Sequence, residues 1–558
     1  MTTDRTSAAA RARAALLVAL VLVLGACAAI PTAGPVRTGD AQVDENPGID
    51  VISEGPRPGA SPAEIVEGFL LAGSTGFPDF VTAREFLAGE ARSTWKPLEG
   101  VVVAGSLEYD ASKETEVTAD VPVLARVDAE GRYVEAAPDA REQVTFELQQ
   151  DAEGQWRIAS APDGLILPRF VFDAQFRQTS VYFLSADLTQ LVPETRWFPM
   201  RTLATSVTRA LLAGPSAWLR DSVTTAIPAG VQLKPEAVSV DDDGIAQVGL
   251  TPAATVLGGD RGLIVSQLEA SLTQIAGVGG VKIQADDVLL TDAATLERGA
   301  PTDGDLEFLA DGRLQRLDGA QATDVPGVGD LSGLDLRTPA RNEDGTVRVA
   351  LSGDRLVTLP TTQEASTVLL QARGLVPPSV DRFGWAWTAR SGGELVAVRA
   401  GSPVQVVEAP WLDGRTVRSV RVAADGVRVA VVSASADGVS VDVAGIVRDG
   451  SGAPQQLGAS SLRAGASLVD ARVVEWADES TLAVIGRAPA PGATSDVVNL
   501  VPVSGPTTAK PEVPAIESLA AGRTLVAGSQ DGVLRRLVGP SWVAVTGVEG
   551  AHDPSYPG

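Results

Sequence analysis

The chain has 558 residues, of which 44% are hydrophobic and 21% charged, and its formal net charge is −25. That length exceeds one compact core and points to several domains, and that apolar content excludes a mostly disordered protein. The acidic field excludes a nucleic-acid role, while one cysteine and one histidine, Cys27 and His552, exclude disulfides, thiolate clusters and histidine-based triads.

Residues 1–26 read as a signal peptide: Arg5, Arg11 and Arg13 precede an apolar run from Ala14 to Leu24, and Leu24-Gly25-Ala26-Cys27 follows. A run of 11 residues is about half of what spans hydrocarbon as a helix, so the segment is expected to be removed rather than to remain as an anchor. Leu-Gly-Ala-Cys resembles the bacterial lipobox, which implies lipidation of Cys27 with diacylglyceryl and N-acyl (palmitate-type) chains. Removing the leader takes away three arginines and one aspartate and leaves about −27. Residues 27–60, with Pro31, Pro35, Pro47, Pro56, Pro58 and acids such as Asp40, Asp44 and Glu45, read as a lipidated acidic tether.

Residues 61–170 predict a small α+β domain. Ser61-Pro62-Ala63-Glu64 is a helix start, with Ile65, Val66, Phe69 and Leu70 at helical spacing behind it. Runs beginning at Val101, Val121, Gln143 and Gln155 then alternate as strands of a curled antiparallel sheet, an arrangement that resembles cystatin-like and NTF2-like domains. Residues 171–298 open with a predicted hairpin around Ser185–Asp187. Leu203, Val207 and Leu211 make one helical stripe, and Ile264, Leu268, Leu272 and Ile275 make another; two amphipathic helices on one face of a short sheet would bury both. LATSVTRALLAGP from Leu203 and GLIVSQLEASLTQI from Gly262 resemble the GerMN domain of envelope lipoproteins and sporulation proteins, whose members are regarded as interaction modules.

Residues 303–550 predict an all-β propeller. Strand-and-turn segments recur with Asp344, Gly384, Asp425, Asp478 and Ala521 as markers, at intervals of about 40, 41, 53 and 43 residues. Five or six blades are expected, with the strand from Leu306 closing the ring against strands near Trp542; a pair of β-sandwiches is the alternative. The fold class is therefore multi-domain, with two α+β domains followed by a β-propeller.

Candidate sites are few. Asp241, Asp242 and Asp243 offer oxygen ligands to calcium, but Gly244 after them suits a hairpin turn better. Trp385 and Trp387, two apart, could stack on a sugar or fill the space between sheets, the second being the commoner use. No nucleophile elbow, phosphate loop or nucleotide fingerprint is present, so no catalytic, cofactor or metal residues are assigned and the chain is read as a binder rather than an enzyme.

The order of lipobox, tether, α+β domain, GerMN-like module and propeller, with the stretch DGLILPRFVFDAQFRQTSVYFLSADLTQLVPETRWFP from Asp163 to Pro199, resembles the actinobacterial lipoprotein LpqB family. The resemblance implies a lipoprotein on the outer face of the cell membrane that assists a sensor histidine kinase of an MtrAB-type two-component system. It further implies contact with the kinase's external domain and an influence on cell-envelope homeostasis and division. The alternatives are a wall-glycan-binding or glycan-processing envelope protein and a passive scaffold.

Overall fold

A computed structural model describes residues 54–75, 80–299, 304–318, 321–489, 494–522 and 524–558. The leader, Cys27 and nearly all of the tether lie outside the described residues. Among those described, no helix is long and apolar enough to cross a membrane.

The N-terminal lobe begins with helix α1, Pro62–Thr75. Its first turn carries a reciprocal cap: the backbone N–H of Ser61 donates to Glu64 Oε2 at 2.7 Å, and the N–H of Glu64 points back at Ser61 Oγ. Two short helices follow, α2 (Val81–Glu85) and α3 (Ala91–Thr94). The sheet runs Trp156–Ser160, Arg141–Gln150, Glu116–Asp128, Gly100–Ala104, Leu165–Pro168, with the last pair parallel. Its 13-residue strand Glu116–Asp128 alternates buried Val117, Ala119, Val121, Val123, Ala125 and Val127 with outward residues. A bulge opposite Val103/Ala104 helps curl the sheet around a core in which Phe69 contacts Trp95 and Phe146. Helix α4, Arg169–Gln175, leads into the middle lobe.

The middle lobe has two small sheets rather than one. The first centres on the hairpin Phe176–Ser185 with Gln190–Pro199; the second runs Gln232–Leu233, Ile245–Thr251, Gly280–Ala285, Val288–Leu290. Helices α5 (Leu203–Ala213), α6 (Ala253–Gly258) and α7 (Arg261–Leu272) fill the space. The expected arrangement of two helices on one face is corrected here, because α7 packs on the hairpin and on Gly280–Ala285 at once. It therefore buries Ser266, Gln267 and Ser271 as well as the predicted Ile264, Leu268 and Leu272.

Among the described residues the C-terminal body is a ring of six blades. The first consists of Gln321–Asp324, Arg313–Asp318 and Glu307–Ala310, with His552–Ser555 from the chain's far end as its innermost strand. The next three inner strands are Leu336–Arg341, Ser379–Val380 and Thr416–Val422, and the last two are Asp470–Trp476 and Ile516–Ala521; neighbours touch all the way round. Closure thus uses His552–Ser555 and not the strands near Trp542, which lies in the outermost strand of the sixth blade, Ser541–Ala544. The long 53-residue interval has a cause: in the fourth blade, strand Gly438–Arg448 pairs with both Pro454–Leu457 and a fifth strand, Leu462–Ala464.

One hydrophobic core crosses the lobe boundary. Val181, Phe183 and Leu268 of the middle lobe share it with Val432, Val443, Val474 and Leu482 of the fourth and fifth blades. Gly299, where the chain leaves the middle lobe, lies so close to the propeller that a Cβ there would collide with the Asp425 backbone.

Candidate partner-binding site

Each residue singled out in the sequence has a structural place. Asp241 Oδ1 accepts the N–H groups of Asp243 at 3.1 Å and Ile245 at 2.9 Å, and its Oδ2 accepts Gln247 Nε2 at 2.8 Å. The Ile245 bond, with the others, holds its carboxyl below the usual range, and Gly244 at φ 76° completes a hairpin turn. Trp385 and Trp387 are 1% and 0% exposed, so neither offers a face to a sugar. Trp387 Nε1 donates to Asp381 Oδ2 at 2.9 Å, an oxygen that Arg448 also grips at 2.7 Å. Among the described residues no three His, Cys, Asp or Glu side chains gather as a metal site would require.

The propeller axis is filled rather than open. On one side Gly558 donates its N–H to the Arg341 carbonyl at 2.9 Å and accepts from the Val380 N–H at 3.1 Å, tying the second blade to the third. On the other, Tyr182 of the middle-lobe hairpin donates its hydroxyl to Glu479 Oε1 at 2.5 Å; burial first, and then the Glu479 charge, push that phenol upward. Arg428, 1% exposed, holds Asp425 at 2.7 Å and reaches the Pro193 carbonyl at 3.3 Å, while Arg382 bonds Asp187 at 2.7 Å. Between these a hollow of about 30 Å³ remains, lined by Arg428, Glu475, Trp476 and Glu479 among others. That is space for a water or two, far below the few hundred Å³ of a ligand pocket.

The N-terminal lobe and the middle-lobe hairpin also join the propeller through hydrogen bonds that the sequence did not disclose. Trp197 lies against Tyr133 and Phe172, with ring centroids at 5.5 and 4.8 Å, and donates Nε1 to the Ser504 carbonyl at 2.7 Å. Glu135 accepts from Thr507 Oγ1 at 2.7 Å and from Ser467 Oγ at 2.8 Å. These residues are separated by more than three hundred positions in the chain, and no local pattern links them.

A large concavity lies within the N-terminal lobe, a cavity of about 570 Å³ between α1 and the curled sheet. Phe69, Trp95, Val101, Val144, Phe146 and Leu165 contribute to its wall. Its space exists partly because Gly73 of α1 stands at its wall, where a Cβ would meet only Leu165 Cδ2 at 3.5 Å. Arg126 and Glu142 pair at its edge. A second hollow of about 380 Å³ adjoins it, sharing Trp95, Ser160, Ala161 and Asp163. Sequence periodicity marked Phe69 as core, but missing volume leaves no periodic trace.

Comparison with known proteins matches three family models in chain order. "Lipoprotein LpqB, N-terminal domain" covers residues 55–173, "Sporulation and spore germination" covers 180–291, and "Lipoprotein LpqB beta-propeller domain" covers 312–557. Lipoprotein LpqB of Streptomyces coelicolor is 31% identical, with 96% of each chain covered. The Cutibacterium acnes protein of the same name is 27% identical, covering 96% of this chain and 99% of its own. With this agreement along the whole length, resting on the same three bodies seen in the fold, the chain belongs to the lipoprotein LpqB family.

Proposed function

We propose that this lipoprotein is exported, held on the outer face of the cell membrane by lipid on Cys27, and acts by binding rather than by catalysis. Its partner is the external domain of a sensor histidine kinase of an MtrAB-type system, and binding biases the kinase between signalling states, with consequences for the envelope and division. Such a bias requires different affinity for the two states. The observation that supports this reading best is the core shared by the middle lobe and the propeller, reinforced by Trp197 of the hairpin and Glu135 of the N-terminal lobe. A body locked in this way can present distant surfaces in fixed geometry to one partner, as recognition of a conformational state demands.

The test is co-purification of the kinase's external domain with the full chain from membranes. Retention is the expected result, and its absence overturns the reading. Deleting whole lobes would breach the common core, so contact mapping calls for surface substitutions. Purified wall polymers serve as the competing arm: retention of the chain on them, or release of products, would support the glycan reading instead. A Cys27→Ala variant that stays in the membrane fraction would refute the lipid anchor.

A further inference from the structure

The axial hollow and the lobe junctions are occupied by the molecule's own contacts, whereas the N-terminal cavity is not. At about 570 Å³ it falls within the range of ligand-binding pockets. Its inner wall is aromatic and aliphatic, which suits an apolar group. The adjoining hollow continues past Trp95 along Glu90, Thr94 and Asp163. Glu90 and Glu99 form no ion pair among the described residues, and Asp163 accepts only the backbone N–H of Lys96, at 2.8 Å. Among the described residues that line the two hollows, the one cation is Arg126, already engaged by Glu142. An apolar trough thus opens onto a shelf lined by Glu90, Glu99 and Asp163, with Arg84 held against the Trp95 ring behind it by the Arg92 and Trp95 carbonyls, in a chain that is itself strongly acidic.

We propose that this trough and shelf dock an extended segment of a partner protein that carries apolar side chains interleaved with lysine or arginine. The proposal rests on the binding reading above and names the site for it. An anionic amphiphile, such as a fatty acid or a phospholipid, meets repulsion from Glu90, Glu99 and Asp163, while a neutral polar peptide gains nothing from the apolar wall. A basic, apolar segment satisfies both, and its charge gives specificity and faster encounter as well as affinity.

Gly73 provides the decisive variant. It lies in α1, its φ is not positive, and a Cβ there would meet only Leu165 Cδ2, at 3.5 Å, an ordinary contact. Gly73→Leu therefore fills the cavity without straining the backbone and gains helix propensity as well. The test uses the full chain in phosphatidylcholine nanodiscs with Ser160→Cys on the shelf carrying an environment-sensitive fluorophore; the unsubstituted chain controls for any reaction at Cys27. The probes are acetylated octapeptides alternating Leu with Lys, Leu with Glu, and Ser with Lys.

The Leu/Lys peptide should bind saturably, at least about tenfold more tightly than either other peptide, and lose about tenfold or more in the Gly73→Leu variant while the thermal midpoint does not fall. Equal binding of the Leu/Glu or Ser/Lys peptide, or full binding by Gly73→Leu, overturns the site; so does a saturable response to octyl glucoside alone. Retention of the kinase's external domain by Gly73→Leu with no peptide binding would discard this site and leave the functional reading intact. Peptide binding without kinase retention would do the reverse.

Discussion

Asp442, in the fourth blade, is 7% exposed and has Ser461 Oγ at 3.1 Å as its partner, with no ion pair among the described residues. Burial therefore pushes its carboxyl above the usual range, and the hydroxyls of Ser440 and Ser461, then the charges of Arg415 and Arg463, only partly oppose this. A carboxyl raised on folding holds its proton where the unfolded chain has lost it. Its contribution is neutral below the ordinary aspartate value and becomes unfavourable as pH rises through the window up to the folded value. Asp442→Asn should accordingly gain more in thermal midpoint at pH 8 than at pH 4; an equal gain at both would refute the assignment. Glu475 provides the contrast. Burial raises it too, but Arg421 lies 2.6 Å away, so Glu475→Gln leaves a half-buried guanidinium without its counter-charge and should lower the midpoint at neutral pH.

Helix α7 shows why an element can be found in sequence and still be misread. Its polar residues, with one just past its end, complete the hairpin's open edge: Gln267 Nε2 donates to the Tyr182 carbonyl at 3.0 Å, Ser271 Oγ accepts the Tyr182 N–H at 3.0 Å, and Gln274 Oε1 accepts the Ser180 N–H at 3.1 Å. Gln267 Oε1 also takes the Ala226 N–H at 2.6 Å. Gln267→Leu would leave two backbone groups unpaired in a dry core at about 1–3 kcal/mol each, against a smaller gain from the added apolar surface. Chemical denaturation should show a loss of several kcal/mol, and a loss near zero would mean that water replaces the amide. Within one helix, glutamine and serine read as a polar face, because the hairpin that covers them is specified only by tertiary contacts. Where the signal is local, reading succeeded: the Ser61–Glu64 cap, the Gly244 turn and the recurring blade hairpins are each written in a few adjacent residues. The strand His552–Ser555 is the opposite case. His-Asp-Pro-Ser has no β pattern and extends because the first blade lacks an inner strand without it.

For the whole molecule, ring closure and the axial filling depend on that same short segment. Asp553 accepts Arg337 Nε at 2.6 Å and the Thr338 N–H at 3.1 Å, joining the first blade to the second, and Gly558 spans the second and third. Leu306, Phe308, Val526, Leu534 and Ala551 form the core between the sixth and first blades. Removing residues 551–558 would expose that core and strip the inner edge from Glu307–Ala310, while the common core of the middle lobe with the fourth and fifth blades keeps all its members. Hydrogen exchange on the truncated chain should therefore rise first at 307–318 and 516–538, with α7 and Asp470–Trp476 still protected. Uniform loss of protection would mean that the ring and middle lobe form a single cooperative unit. Unchanged protection at 307–318 would mean that the closing strand adds nothing to the ring, and would contradict the closure described here. The graded outcome is expected because a propeller blade depends chiefly on its two neighbours, and the blades bound to the middle lobe have a third support that the first blade lacks.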